Sequence, residues 1–348
     1  MSPAIPSSWY YVCETSEVAV GEIRRVEAFG RTLALWRTQS GAVHATDATC
    51  PHLGTDLTKR GRVVGEELEC FTHKFRYDGA GDCVATGTGE MPCRSQGVLR
   101  KYPVQETAGF VLVWYDAHGR EPTWTIPEAP LGYEGRGRPW KSQYVFETCA
   151  QTINEDNFDI GHLYSWHELH EVASAPVEVY GPRLRIVHDF RRHSLVLKKP
   201  LPPPFDVLSQ EIVSRYSADL YGHGLTLSQI DLPTVDFHVE DVIWVTPIDD
   251  KRIRYTTFLR QIRPQGARTL RQRMLDRVLH PLLVPIFVAR LRQEHRHEGY
   301  GFWQNQTHIA DPILRESENE YVGVYREWCK QFEPGPAPEQ LTVLRRPA

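Results

Sequence analysis

The sequence predicts an α+β protein of two domains: a small all-β domain over residues 1–122, then a domain over 123–348 whose antiparallel sheet is followed by a long C-terminal helix. Three observations carry that expectation. Residues 9–115 are short strand-like runs punctuated by Gly30, Gly41, Gly61, Gly65 and Gly79, without a helical period. Residues 183–262 hold longer runs with period-two alternation, as in Arg183-Leu184-Arg185-Ile186-Val187. From 267 to about 306 the apolar positions recur in three-to-five-residue steps, which suits a helix. At 348 residues the chain is long enough for two cores.

In chain order, the clearest early strands are Thr32-Leu33-Ala34-Leu35-Trp36-Arg37 and Gly109-Phe110-Val111-Leu112-Val113-Trp114. A Pro- and Gly-rich connector over 121–139, ending Gly135-Arg136-Gly137-Arg138-Pro139, reads as the domain boundary. Tyr144-Val145-Phe146-Glu147 opens the second domain as a strand. Further runs at 183–190, 194–198, 207–218, 224–232, 237–247 and 251–262 should form one antiparallel sheet. The helical stretch carries Leu270, Met274, Val278, Leu282 and Phe287, and Pro281 and Pro285 kink it or mark a helix start. After Phe332 the chain is Pro-rich and expected to trail over the surface.

The formal charge of -4 argues against a nucleic-acid binder, which needs a basic face. The longest apolar patch, 281–289, is far too short to span a bilayer, and Met1-Ser2-Pro3-Ala4-Ile5-Pro6 lacks a basic start and an apolar run. A soluble, cytoplasmic protein is expected. Of seven cysteines, Cys13, Cys83, Cys93, Cys149 and Cys329 are then free thiols. Neither G-x-G-x-x-G nor a P-loop occurs, so no dinucleotide or nucleotide fold is indicated. His295 and His297, beside Arg296, fit a solvated basic helix face.

Two constellations carry chemistry. Cys50-Pro51-His52-Leu53-Gly54 is followed after fifteen residues by Cys70-Phe71-Thr72-His73, so each loop offers one thiolate and one imidazole. Zinc sites commonly put two Cys on one arm and two His on the other, whereas mixed loops suit a cluster with Cys on one iron and His on the other. C-x-H-x-G with C-x-x-H resembles the Rieske motif, and Phe75-Arg76-Tyr77-Asp78-Gly79-Ala80-Gly81-Asp82 resembles the aromatic-then-turn continuation of that family. Lys74 stands where the family usually has Gly, and Phe75 where it usually has Trp. The resemblance implies a [2Fe–2S] cluster on Cys50, His52, Cys70 and His73, presented from the tips of adjacent hairpins. A structural zinc site is the competing interpretation.

The second constellation is Asp159-Ile160-Gly161-His162-Leu163-Tyr164-Ser165-Trp166-His167, a D-x-x-H-x4-H run. Two imidazoles and one carboxylate make the facial triad of non-haem Fe(II), with positions left for O₂ and substrate. On a regular helix His162 and His167, five apart, diverge; a bulge or break must bring them together. Following the first motif by about ninety residues, this run resembles that of the Rieske non-haem iron oxygenase α subunits, in the branch of ketosteroid hydroxylases and sterol desaturases. Trp303-Gln304-Asn305-Gln306, Pro312-Ile313-Leu314 and Trp328-Cys329-Lys330-Gln331-Phe332 resemble that branch too.

The resemblance implies a helix-grip (START-like) catalytic domain in which His162 and His167 bind the iron. Asp159 bridges by hydrogen bonds to a cluster-ligating His of a neighbouring subunit. The third ligand lies a few residues before Phe302-Trp303; Glu298 is favoured, with Glu294 in reserve. The implied enzyme is an oxygenase, foremost a monooxygenase, that hydroxylates or desaturates a small apolar, polycyclic or steroid-like substrate with O₂. Its electrons come from a separate NAD(P)H-dependent reductase, a ferredoxin, or both, and its head-to-tail contact closes as a homotrimer. Two other classes compete: a non-enzymatic helix-grip ligand-binding protein with a structural metal, and a zinc-stabilised scaffold.

Overall fold

The computed structural model describes residues 4–91, 98–128, 138–192, 212–233, 236–262 and 269–335. Strands Ile23–Ala28, Arg31–Arg37 and Val43–Asp47 form an antiparallel meander extended by Lys101–Tyr102. Ser8–Glu14, Phe110–Tyr115 and Val104–Thr107 form a second sheet against it. Alternate residues of both face one core: Val26, Leu33 and Leu35 meet Tyr10, Val111 and Val113. A third sheet, Gly61–Val64, Glu67–Cys70, Arg76–Tyr77 and Cys83–Ala85, stands beyond the meander. Trp36, Leu57, Leu68 and Tyr77 pack beneath it, together with Cys50 and Cys70.

The second domain is built on one eight-stranded antiparallel sheet. Its order is Trp140–Phe146, Ile253–Ile262, Phe237–Pro247, Leu225–Leu232, Ile212–Tyr221, Arg183–Arg192 and His170–Ser174, with Glu178–Tyr180 also pairing to Arg183–Arg192. The expected strand over 194–198 lies outside the described residues, as do 207–211 of the next run. Successive residues point to opposite faces, and both faces are covered. Val242 and Trp244 join Trp9, Tyr11, Phe110 and Phe258 in the seam with the first domain. Ile243 and Val245 face the other way, toward Phe146 and Trp303. Two-sided burial is why 242–245 reads as an unbroken apolar run rather than an alternating one.

The long helix His280–Gly301 lies across that second face. Leu283 and Val288 seat it on Leu232, Phe237, Val239 and Leu259. Leu270–Met274 precedes it through a π turn at Leu275–Leu279. The wider turn ends just before Pro281, in the first turn of the long helix, where its missing N–H costs nothing. Pro285 is accommodated within the helix. The row Leu270, Met274, Val278 and Leu282 faces solvent, each at 60–69% exposure, and only Phe287 of the expected stripe turns inward. Two apolar rows overlap in this segment, and the sheet takes the one through Leu279, Leu283 and Phe287.

Val324–Cys329 and Phe332 close the C-terminal edge against Phe158, Leu184, Ile186 and Leu220. Cys83 is a free thiol, as are Cys13, Cys149 and Cys329, while Cys93 lies outside the described residues. Among the described residues no helix is long and apolar enough to cross a membrane.

Candidate active site

The two Cys/His loops have one backbone plan. In the first, the Cys50 amide donates to the Thr55 carbonyl (2.9 Å) and the Gly54 amide to the Cys50 carbonyl (3.0 Å). In the second, the Cys70 amide donates to the Phe75 carbonyl (2.7 Å) and the Lys74 amide to the Cys70 carbonyl (2.9 Å). Gly54 and Lys74 close these turns at φ 78° and 58°, so both occupy the left-handed region. Lys74 therefore carries a side chain where glycine would be unstrained. Its ammonium sits 3.9 Å from the Phe71 ring centre and 3.4 Å from Glu69. The second loop joins two strands as a hairpin tip. The first does not: after the isolated Thr49–Asp56 bridge it runs into the one-turn helix Leu57–Arg60, capped by Asp56.

Side chains sort by depth. Cys50 and Cys70 are buried in the core under the loops, while His52 and His73 are exposed, their rings 4.7 Å apart and nearly perpendicular. Phe75 stacks on His52 at 4.4 Å. The Tyr77 hydroxyl lies 3.2 Å from Cys50 Sγ. Burial pushes the free Cys50 thiol up, and the Tyr77 hydrogen bond pulls the other way. Two thiols buried together under two exposed imidazoles fit the donor set of a mixed-ligand [2Fe–2S] cluster.

Around the second motif the helix Ile160–Ser165 starts on Asp159, whose Oδ1 accepts from the His162 amide at 3.0 Å. The helix stops after Ser165. Trp166 caps it, and His167 lies beyond its end, its amide 3.4 Å from the His162 carbonyl. A break, not a bulge, lets the two imidazoles converge, their ring centres 4.8 Å apart. Glu298 enters from the long helix with Oε1 2.8 Å from His167 Nε2. Ligand atoms of His162, His167 and Glu298 all lie within 4.8 Å of one another.

Glu298 reaches this point because Gly299 follows it: a Cβ there would stand 2.1 Å from the Phe146 ring, so glycine lets the helix lie on that strand. Phe302 packs on His162 at 4.3 Å. Glu294, one turn back, pairs with Arg290 at 3.1 Å and stays outside the group. Ser165 donates to the Gly161 carbonyl and takes no part.

Burial, with His167 alongside, lowers His162 to about 3, so its imidazole is neutral and available as a ligand. Neither ring nitrogen of His162 has a hydrogen-bond partner. Buried orphans on a neutral imidazole beside a second His and a carboxylate fit a divalent metal of the iron type.

Asp156 belongs here as well and was not among the expected residues. Its Oδ1 is 3.2 Å from His162 Nε2, and its Oδ2 accepts from Trp303 Nε1 at 3.3 Å. Burial and the neighbouring Glu298 charge raise its pKa well above the carboxylate range. The sequence signal was available: Asp156 precedes Asp159 by three residues. His295 corrects another expectation, since it is buried on the cavity side of the helix instead of lying on a solvated face; His297 is exposed against Trp166.

The site opens into an interior cavity of about 160 Å³ between sheet and long helix. Leu163, Leu169, Phe190, Ile230, Ile243 and Leu291 give it apolar walls. On the outer side of His162 a separate hollow, open to solvent, has Asp159, Tyr164, Phe302 and Arg315 in its wall.

The known proteins agree with this anatomy. Residues 8–103 match the model of the Rieske [2Fe-2S] domain, and residues 113–332 match the 3-ketosteroid 9alpha-hydroxylase C-terminal domain. Cholesterol 7-desaturase nvd of Bombyx mori is 34% identical over 351 residues, which cover 95% of this chain and 70% of that protein. A probable 3-ketosteroid-9-alpha-monooxygenase oxygenase component of Rhodococcus rhodochrous is 23% identical, over 93% of this chain and 79% of its own length. The crystal structure of apo dicamba monooxygenase shares the fold with a TM-score of 0.62 at 16% identity, covering 96% of this chain and 98% of that one. The chain belongs to the Rieske oxygenases, in the family of the ketosteroid 9α-hydroxylase catalytic domain, and is an oxidoreductase with a [2Fe–2S] domain and a non-haem iron domain.

Proposed function

We propose that this enzyme hydroxylates or desaturates a steroid-like substrate held in the interior cavity, with His162, His167 and Glu298 as the iron ligands and Cys50, His52, Cys70 and His73 as the cluster ligands. The observation that carries this reading is the convergence of two imidazoles and one carboxylate at the wall of an apolar cavity. Iron held by these three residues would supply the reductive activation of O₂.

The protein's own residues do the rest. Leu163, Ile230, Ile243 and Leu291 desolvate an apolar skeleton and hold it against the ligand set. Trp303 donates to Asp156, whose other oxygen stands 3.2 Å from His162 Nε2, and Phe302 covers the His162 ring. Burial and the nearby Glu298 charge raise the Asp156 pKa, because a second full negative charge there is costly.

Electrons reach the cluster from a separate NAD(P)H-dependent reductase, with or without a ferredoxin. Asp159 links His162 to a neighbour's cluster in a ring of three chains. What supports this is position: Asp159 stands at the base of the His162 helix and in the wall of the outer hollow. The exposed His52 and His73 stand beside Leu53 and Phe71, which protrude at 72% and 52% exposure.

The test is O₂ consumption by the iron-loaded enzyme with a reductase, with and without a sterol, and product mass. Consumption that requires the sterol and yields a product heavier by one oxygen or lighter by two hydrogens supports the reading. Sterol-independent consumption with unchanged sterol contradicts it.

A further inference from the structure

Among the described residues, the unpartnered polar atoms lining the cavity fall into two groups. Asp156 Oδ1 and both His162 nitrogens belong to the ligand set already described. The other group is Asp241, whose two buried carboxylate oxygens meet no side-chain donor and only a weak approach of the Phe258 amide, and His295, whose Nδ1 is buried and unpartnered. His295 Nε2 lies 3.7 Å from Asp241 Oδ2, close but beyond a hydrogen bond.

The other polar walls are satisfied. The Tyr216 hydroxyl donates to Asn157 Oδ1 at 2.5 Å, and Thr226 Oγ1 donates to Asn154 Oδ1 at 3.3 Å. His188 is held by Ser174 Oγ at 2.7 Å and the Asn157 carbonyl at 2.9 Å. A buried carboxylate beside an imidazole, both incomplete and both facing a cavity, is a site waiting for a third group. Burial pushes Asp241 up to about 7, against a weaker lowering by the Phe258 backbone amide, and lowers His295 to about 4. His295 is therefore neutral near pH 7 and presents one N–H.

We propose that Asp241 and His295 form a hydroxyl-recognition subsite that anchors one alcohol group of an otherwise apolar, steroid-like substrate. An alcohol is the group that completes both: its O–H donates to Asp241, and its oxygen accepts from the His295 N–H. A ketone offers only the acceptor, and a hydrocarbon offers neither. His295 and Glu298, three residues apart on one helix, share a face. Anchoring the alcohol thus fixes the skeleton relative to the ligand set. The proposal rests on the steroid-like substrate reading above.

The experiment measures dissociation constants of the cofactor-loaded enzyme for a 3-hydroxysteroid, its 3-ketone and its 3-deoxy hydrocarbon. It compares wild type with Asp241→Leu, Asp241→Asn and His295→Phe. Wild type should bind the alcohol at least tenfold tighter than the hydrocarbon. In Asp241→Leu and His295→Phe that preference should vanish while hydrocarbon affinity stays within about twofold. Asp241→Asn keeps the shape of the site, and its preference should fall to threefold or less.

An alcohol preference undiminished in Asp241→Asn, or in Asp241→Leu, overturns the subsite. Wild type binding the three steroids equally, or favouring the ketone, overturns it while leaving the steroid reading intact. Wild type binding none of them overturns the steroid reading and the subsite with it.

Discussion

The Tyr77 hydroxyl lies 3.2 Å from Cys50 Sγ and would be the donor to a deprotonated, cluster-bound sulfur; hydrogen bonds to such sulfurs raise reduction potential by stabilising the more negative reduced state. A bond worth about 1 kcal/mol corresponds to about 40 mV for one electron. Tyr77→Phe should therefore lower the cluster potential by about 40 mV in a redox titration, with the visible spectrum retained; an unmoved potential would remove that role. Asp159 is the other residue whose function is separable from metal binding. Asp159→Asn keeps the cap on the His162 amide through its remaining carbonyl oxygen. It should leave iron and sulfide content unchanged and cut turnover at least tenfold. Full turnover in that variant would end the bridging assignment.

At this scale the four candidate cluster ligands stand out in the sequence, because each Cys/His pair sits within one loop. His162 and His167 were legible as a motif. Asp241 and His295 were not, since a strand Asp and a helix His far apart in sequence give no local sign that they meet.

Elements decide how accurately Glu298 arrives. The sequence left Glu298 and Glu294 as alternatives because their helix is regular and both look like solvated carboxylates. In the structure Glu298 is the carboxylate that lies with His162 and His167, with Gly299 against Phe146, while Glu294 pairs with Arg290. Gly299→Ala puts a methyl where the buried Phe146 ring stands, so helix or ring must move. The expected result is a loss of about 1–3 kcal/mol of stability, read by denaturant titration, and weaker iron binding at the catalytic site with the cluster intact. A variant as stable as wild type, with unchanged iron affinity, would show that the close approach is not needed.

The same helix shows how periodicity misleads. The four-residue row from Leu270 to Leu282 is real in the sequence, yet solvent takes it, because a second row fits the sheet better.

On the scale of the molecule, the two domains share a core. Trp9, Tyr11 and Phe110 pack with Trp244 and Phe258 across the seam, and the Ser7 amide donates to the Phe332 carbonyl at 2.7 Å, tying the start of the chain to its C-terminal edge. Asp116 secures this junction: it accepts from Ser7 Oγ, from the Arg120 side chain and from the amides of His118 and Arg120. Burial alone would raise its pKa, but those donors hold it well below the usual carboxylate range. A carboxyl depressed in the folded state stabilises above its unfolded value, about 4, and that stabilisation drains away as pH falls. Asp116→Asn should cost about 2 kcal/mol near pH 7. The difference in melting temperature from wild type should shrink toward pH 3, and a difference constant from pH 7 to 3 would contradict the charge argument.

The two-part architecture was legible from the change of period along the chain. The seam was not, because its aromatics read equally well as core residues of either half.

The central claim is that a cluster and a separate ferrous ion occupy different residues of one chain and that the second site performs the oxidation. Metal and acid-labile sulfide analysis of Glu298→Ala, paired with sterol-dependent O₂ uptake, tests it most directly. Wild type should hold about three irons to two sulfides, falling to about two irons to two sulfides in the variant, with the cluster spectrum preserved and sterol oxidation lost. Sterol oxidation at the wild-type rate by Glu298→Ala, or a wild-type protein without labile sulfide, would contradict it.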